Sequence, residues 1–342
     1  MKPTVSIILP NLNYREFLEE RVESIRAQTL SDWELIIVDS YSTDGAWELL
    51  QEITQGDDRV SLSQAPRGLY QSWNRCLEQV SGEFVYIATS DDTMAPEALQ
   101  KMVEALRQQP QCDICDTKLK ITDYEGHEFT EAYQRLPIHR YLGEYAEVDH
   151  LRARPHDALF HTTGRTVYTS MTQILFRKAL LDRVGLFRTD WGTRCDYEWA
   201  MRCSLTTNTV YLAEQLCTWR RHDQQVTGSS AITNQHVGNL EMAQAALDAI
   251  RQLNPAFTEL IDEHHFLSFL EERSQRDLIR QGDAWQRLGK TLAFILRSPT
   301  GAARLFAERL PSSISNYDGV SQHIERLDRR VGLRSMIQPM SK

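Results

Sequence analysis

Four groups of polar residues stand where apolar runs stop in the first third of the chain. They are Pro10-Asn11-Leu12-Asn13, Asp39-Ser40, Arg67-Gly68 and Thr89-Ser90-Asp91-Asp92. The last has the clearest chemical use. Adjacent aspartates offer hard oxygen ligands, which suit Mg²⁺ or Mn²⁺, and these ions share their coordination with phosphate oxygens. A metal-bound diphosphate is therefore the natural partner of Asp91 and Asp92. By itself the pair is weak evidence, because Asp also caps helices, and Pro96 shortly after it sits where a helix starts.

These groups can act together only if the elements between them bring them to one place. Val5–Leu9, Leu35–Val38, Val60–Leu62 and Phe84–Ala88 read as strands rich in β-branched and aromatic residues. Between them, 15–28, 45–54 and 69–80 have helical spacing, the last with Leu69, Trp73, Cys76, Leu77 and Val80 on one face. This β-α-β-α order predicts an α/β fold with a doubly wound, mostly parallel sheet. Such sheets bind ligands at the carboxyl ends of their strands, so Asp39, Asp91 and Asp92 should share one edge.

After Gln109-Pro110 the pattern loosens. Residues 113–123 read as a strand region, 124–165 as a long irregular insertion, and Val167–Phe176 as a strand. Arg177–Val184 and Tyr197–Leu205 read as helices and Val210–Trp219 as a strand. From about Asn234 the chain is helical almost to its end, broken by Pro255, Pro299 and Pro311.

Composition narrows the partners. Lys+Arg number 38 and Asp+Glu 47, a net charge of −9, which disfavours a protein that grips nucleic acid. Residues 1–116 hold 9 basic and 20 acidic residues, a balance of −11, whereas 117–342 hold 29 and 27, a balance of +2. Neither a secretory signal nor a membrane-spanning run is expected. Six scattered cysteines make neither a disulfide framework nor a zinc site. Cys112-x-x-Cys115 reads as two small side chains on a buried strand, and a reducing cytoplasm fits.

Segments 5–50 and 68–99 resemble the opening of the family 2 glycosyltransferases, which have the GT-A fold. The closest likeness in pattern is to bacterial polysaccharide-assembly enzymes, where a Gly-Ile-Tyr-Asp-Ala-Met-Asn-like run precedes the metal motif, as GLYQSWN does here. The likeness runs over about residues 4–230. It implies a GT-A domain at 1–230, with a nucleotide-sugar half at about 1–116 and an acceptor half at about 117–230, followed by a helical region at 231–342.

The resemblance also implies roles. Pro10, Asn11, Asn13 and Asp39 would line the nucleoside, with Arg67 and Gly68 beside the donor. The metal motif is usually Asp-x-Asp, and Thr89 here replaces its first Asp, leaving Asp91 and Asp92 as metal ligands. Asp196 matches the general base, although the Glu that should precede it is Cys195; Glu198 is near in sequence but helix spacing turns it away. Trp219-Arg220-Arg221-His222 matches a Tyr-Arg-x-His segment, so His222 would touch metal or diphosphate and Arg220 or Arg221 would offset phosphate charge. The implied reaction is metal-dependent, inverting transfer, with Mn²⁺ or Mg²⁺, from a nucleotide-diphospho-sugar, UDP-linked by family habit, to a glycan or lipid-linked hydroxyl.

Two alternatives stand beside this. Thr89 and Cys195 leave open a non-catalytic protein of the same fold that binds a nucleotide sugar or glycan. A nucleotidyltransferase would want a Gly-rich basic loop after the first strand, which Pro10–Tyr14 is not. The stretch 273–310, with 8 basic and 3 acidic residues among Trp, Leu, Phe and Ile, is expected either to pack on the domain or a partner subunit or to lie on an anionic membrane surface. A homo-oligomer is left open.

Overall fold

The first strands have no polar face. Ile8, Ile36, Val38, Val85 and Ile87 belong to one buried cluster, and Val5, Ile7, Leu9, Leu35, Ile37, Phe84 and Tyr86 to another. Successive side chains of a strand point to opposite faces, so such a sheet has to be covered on both. The computed structural model describes residues 2–129, 136–162, 165–223, 225, 238–261, 263, 267, 283–300, 302–303 and 319–340.

In it β1 (Val5–Asn11), α1 (Arg15–Arg26), β2 (Trp33–Asp39), α2 (Ala46–Ile53), β3 (Val60–Gln64), α3 (Leu69–Leu77), β4 (Phe84–Ile87) and α4 (Ala98–Gln108) alternate as the spacing predicts. The chain continues through β5 (Cys112–Thr122), α5 (Pro137–Leu142), β6 (His150–Arg152), α6 (His156–His161), β7 (Ile174–Arg177), α7 (Ala179–Val184), α8 (Cys195–Thr206) and β8 (Asn208–Arg220). Then come α9 (Gly238–Leu253), α10 (Ala284–Arg297), α11 (Gly319–Val331) and β9 (Ile337–Pro339).

Among the described residues nine strands form one sheet in the order β3-β2-β1-β4-β7-β5-β8-β6-β9. Its first four strands are parallel, as are β5 and β8, while β7 runs antiparallel to β4 and β5, and β6 antiparallel to β8 and β9. Leu18, Val22 and Ile25 of α1 join Leu50 of α2 and Leu99, Met102 and Leu106 of α4 on one side. Trp73, Cys76 and Leu77 of α3 and Trp199 of α8 lie on the other.

Four local expectations change. In α3 it is Tyr70 that is buried, while Leu69 is exposed, because the helix starts at Gly68 and its first turn overhangs the carboxyl edge of the sheet. The strand expected over Val167–Phe176 is confined to Ile174–Arg177. Ahead of it, Ser170 and Gln173 form a capping box that winds Met171–Gln173 into a 3₁₀ turn. The stretch 124–165 is not irregular throughout, since it holds α5, β6 and α6; 130–135 and 163–164 lie outside the described residues. Finally, β9 adds a strand beside β6 near the end of a region read as helical.

One buried ionic network organises that middle stretch. Arg152 of β6 donates to Asp116 of β5 at 2.5 Å and to Asp157 of α6 at 2.8 Å, and His156 contacts Asp157 at 2.7 Å. Tyr168 and Thr209 hydroxyls also donate to Asp157. All six cysteines are buried and free, including Cys112 and Cys115 on β5.

Candidate active site

The carboxyl edge of the parallel strands carries polar residues in register. Asn11 pairs with Asp39, and Asp39 with Gln64. Asp39 is fully buried, and four donors satisfy it: Asn11 Nδ2 at 2.9 Å, Gln64 Nε2 at 3.3 Å, and the Ser42 hydroxyl and N–H at 2.5 and 2.9 Å. This holds the Asn11 amide so that its Oδ1 is buried without a hydrogen-bond partner. Asn11 lines a cavity of about 290 Å³, although its Oδ1 is itself shielded from solvent. Asn13 has φ +58°, a left-handed conformation that Asn tolerates, and fixes the turn by accepting from Thr43 N–H at 2.8 Å.

β4 ends beneath the next group. The Asp92 carboxylate accepts the Arg220 N–H at 2.8 Å and the Thr89 hydroxyl, and Thr93 N–H donates to Thr218 at 2.7 Å. These bonds stitch the loop after β4 to the end of β8. Burial, with the charge of Asp91 next, pushes the Asp92 carboxyl well above the usual carboxylate range. Asp91 faces the other way: its Oδ2 meets His222 Nε2 at 3.0 Å and Gln225 Nε2 at 3.3 Å. The His222 ring is packed by Phe17 at 4.9 Å and Tyr14 at 5.8 Å, and its Nδ1 is buried without a partner.

A carboxylate oxygen and an imidazole nitrogen facing each other are a donor set that Mn²⁺ accepts, with phosphate oxygens completing the shell. Asp91 and His222 therefore fit a divalent cation. The oxygens of Asp92 are engaged by Thr89 and Arg220 and do not gather with them. Among the described residues, three candidate ligand atoms come within 4.8 Å of one another only at Asp123, Glu125 and His127, on the turn after β5 and away from the cavity.

Asp196 enters from the other half of the sheet, in the first turn of α8, and lines the same cavity. Its carboxylate accepts Tyr197 N–H at 2.6 Å and the Tyr70 hydroxyl. Burial outweighs these bonds and raises its carboxyl to about 6, a value suited to a base working near neutrality. Glu198, as helix spacing demands, turns away and pairs with Arg202 at 2.6 Å.

The structure thus brings Pro10, Asn11, Gly68, Asp91, Asp92 and Asp196 to one cavity wall and sets His222 directly behind Asp91. Asn13, Asp39, Arg67, Arg220 and Arg221 do not line it. Arg67 and Arg221 are exposed, and the Arg220 guanidinium is taken by Glu20 at 2.5 Å and Tyr124 O at 3.1 Å. The cavity also holds residues to which the motifs gave no role, Tyr70 and Trp73 of the GLYQSWN run and Trp219 of the Trp-Arg-Arg-His segment, and two that no motif marked, Ser170 and Met171. A signal existed for Ser170, since Ser-x-x-Gln is a capping box.

Comparison with known proteins adds the following. The model of glycosyl transferase family 2 matches residues 6–183, just over half of the chain. TuaG of Bacillus subtilis (strain 168), a candidate teichuronic acid biosynthesis glycosyltransferase, is 36% identical over 105 residues, 30% of this chain and 42% of TuaG. The GalNAc(5)-diNAcBac-PP-undecaprenol beta-1,3-glucosyltransferase of Campylobacter jejuni is 32% identical over 108 residues, 30% of this chain and 34% of that one. The chain therefore spans less than half the length of these two relatives. S. aureus TarS 1-349, solved with UDP-GlcNAc, matches with a TM-score of 0.58 at 16% identity, over 98% of this chain and 88% of that one. The Pyrobaculum calidifontis mannosyltransferase PcManGT, solved with GDP-Man and Mn²⁺, gives 0.53 at 18% identity, over 98% and 87%.

Proposed function

The chain belongs to glycosyl transferase family 2 and has the GT-A fold, and on that premise we propose that it moves a sugar from a nucleotide-diphospho-sugar to a hydroxyl of a glycan or lipid-linked acceptor, with inversion. The observation that carries this is one cavity walled by Asp91, backed by His222, and by Asp196 from the opposite half of the chain.

The steps follow from the residues. The donor sits in the cavity beside Pro10 and Asn11, at the carboxyl ends of the parallel strands. Asp196 takes the proton of the acceptor hydroxyl as that oxygen bonds to the anomeric carbon. The bond from this carbon to the diphosphate oxygen breaks, and the nucleoside diphosphate leaves. One base on the face opposite the leaving group makes this a single displacement, which inverts. Asp91 and His222 would hold Mn²⁺ or Mg²⁺, which supplies a Lewis-acid counter-charge to the diphosphate when bound.

UDP is the proposed nucleotide, supported by the UDP complexes of TarS. A role in assembling bacterial surface polysaccharide is supported by TuaG, named for teichuronic acid biosynthesis, and by the undecaprenol-linked glucosyltransferase, and the cytoplasmic face of the membrane is the proposed location. Contact with that membrane is proposed through α10. Trp285, Leu288, Leu292 and Leu296 are exposed on one of its faces, and Arg287, Lys290 and Arg297 are its charged residues. Residues 273–282 and 304–310 of the basic stretch lie outside the described residues. No helix among the described residues is long and apolar enough to cross a membrane.

A panel of nucleotide sugars tests the donor site. A UDP-sugar should raise the melting temperature in a Mn²⁺-dependent way, because a true donor binds only the folded state. Stabilisation by none of them would contradict the reading.

A further inference from the structure

Asp196 lies in the first turn of a helix whose preceding residue, Arg194, supplies no side-chain cap. The N–H groups of that turn need acceptors from elsewhere. The Asp196 carboxylate takes one, from Tyr197. Tyr70 lines the same cavity, and its hydroxyl donates to that carboxylate as well.

Tyr70 is well placed to hold such a contact. Its ring is buried, stacked on Phe187 at 5.6 Å and edge-on to Trp73 at 5.2 Å. Phe187 in turn stacks on Trp199 of α8 at 4.6 Å. The Asn74 side chain grips the Phe187 backbone on both sides, at 2.8 and 3.0 Å. These contacts lock α3, which begins at the cavity glycine Gly68, to α8, which carries the base.

We propose that Tyr70 is the positioning residue for Asp196, its hydroxyl fixing the carboxylate in one orientation toward the cavity from a ring that packing locks between α3 and α8. This rests on the reading of Asp196 as the base. A hydroxyl that donates to the charged carboxylate favours ionisation, so Tyr70 also restrains the rise that burial imposes.

The test is sugar transfer by Tyr70→Phe across pH, beside wild type, Ile25→Val and Asp196→Asn. Tyr70→Phe should lose about ten- to a hundredfold in kcat, the scale of a small misplacement of a reacting group. Its donor KM should stay within about twofold, and the acid limb of its kcat profile should move up by about one pH unit. Ile25→Val trims the core on the opposite side of the sheet and should lower the melting temperature without moving that limb. A folded Tyr70→Phe protein with wild-type kcat and acid limb overturns the proposal, as does an equal limb shift in Ile25→Val. Should Tyr70→Phe not fold, 3-fluorotyrosine at position 70 is a near-isosteric, stronger donor and should move the limb down; no downward shift overturns the proposal. Transfer retained by Asp196→Asn would instead sink the base assignment, so the two failures are distinct.

Discussion

His222 Nε2 lies 3.0 Å from Asp91 Oδ2, joining the loop after β4 to the segment just beyond β8. The contact leaves His222 Nδ1 buried without a partner and the ring wedged against Phe17, so the imidazole is held in place by packing. It is the arrangement on which the proposed shared cation rests.

Removing either partner should therefore weaken metal binding before it weakens the fold. For His222→Ala and Asp91→Asn, the Mn²⁺ concentration needed for half-maximal stabilisation by UDP should rise about ten- to a hundredfold, the usual effect of losing a group that holds or orients a metal. Titrating Mn²⁺ in thermal shift assays measures this. An unchanged Mn²⁺ midpoint would place the cation elsewhere.

The raised carboxyl of Asp196 has a stability signature. At about 6 it stands above its ordinary value of 3.8, so the folded state binds that proton more tightly than the unfolded chain does. Ionising it therefore lowers stability progressively between about pH 4 and 6, and the loss is complete above that window. Asp196→Asn removes the penalty. It should be more stable than wild type at about pH 7.5, by on the order of 1–3 kcal/mol, with the gap closing near pH 4. Denaturant unfolding at the two pH values checks the sign.

Arg152 should matter for folding alone. It is buried between Asp116 and Asp157 on elements that hold β6 against the rest of the sheet. Arg152→Met leaves two carboxylates buried without their cation and should cost about 3–5 kcal/mol. Urea unfolding of the variant would show it, and a loss below about 1 kcal/mol would mean the network relaxes without penalty.

The exposed face of α10 predicts a surface interaction. Binding to phosphatidylglycerol vesicles should be salt-sensitive and should fall at least about tenfold in a Leu288→Ser, Leu292→Ser, Leu296→Ser variant, each site losing one exposed apolar anchor. Co-sedimentation measures it. No binding by the wild type would rule out the membrane contact.

Much of the fold was legible because β1, β2 and β4 bury both faces and the helices between them carry one apolar stripe each, patterns that local spacing records directly. The edge groups followed from where those runs end. What spacing does not record is direction. The family pattern placed Arg220 by the diphosphate, but Glu20 on α1 takes its guanidinium, and Asp92 spends its oxygens on Thr89 and the β8 backbone. Tyr70 escaped notice for the same reason: its partner is Asp196, a contact that exists only once α3 and α8 pack together. The capping box at Ser170 lies in the sequence as Ser-x-x-Gln, but the strand-like residues around it mask so local a signal.

Asp196 is the proposed base for the acceptor hydroxyl, facing a donor site built by the other half of the chain. Sugar transfer by purified Asp196→Asn, with a donor that wild type turns over, decides this role. The variant should lose about 10²–10⁴ in kcat, the usual contribution of a general base, and keep Mn²⁺-dependent stabilisation by the donor. Transfer at the wild-type rate would rule Asp196 out as the base.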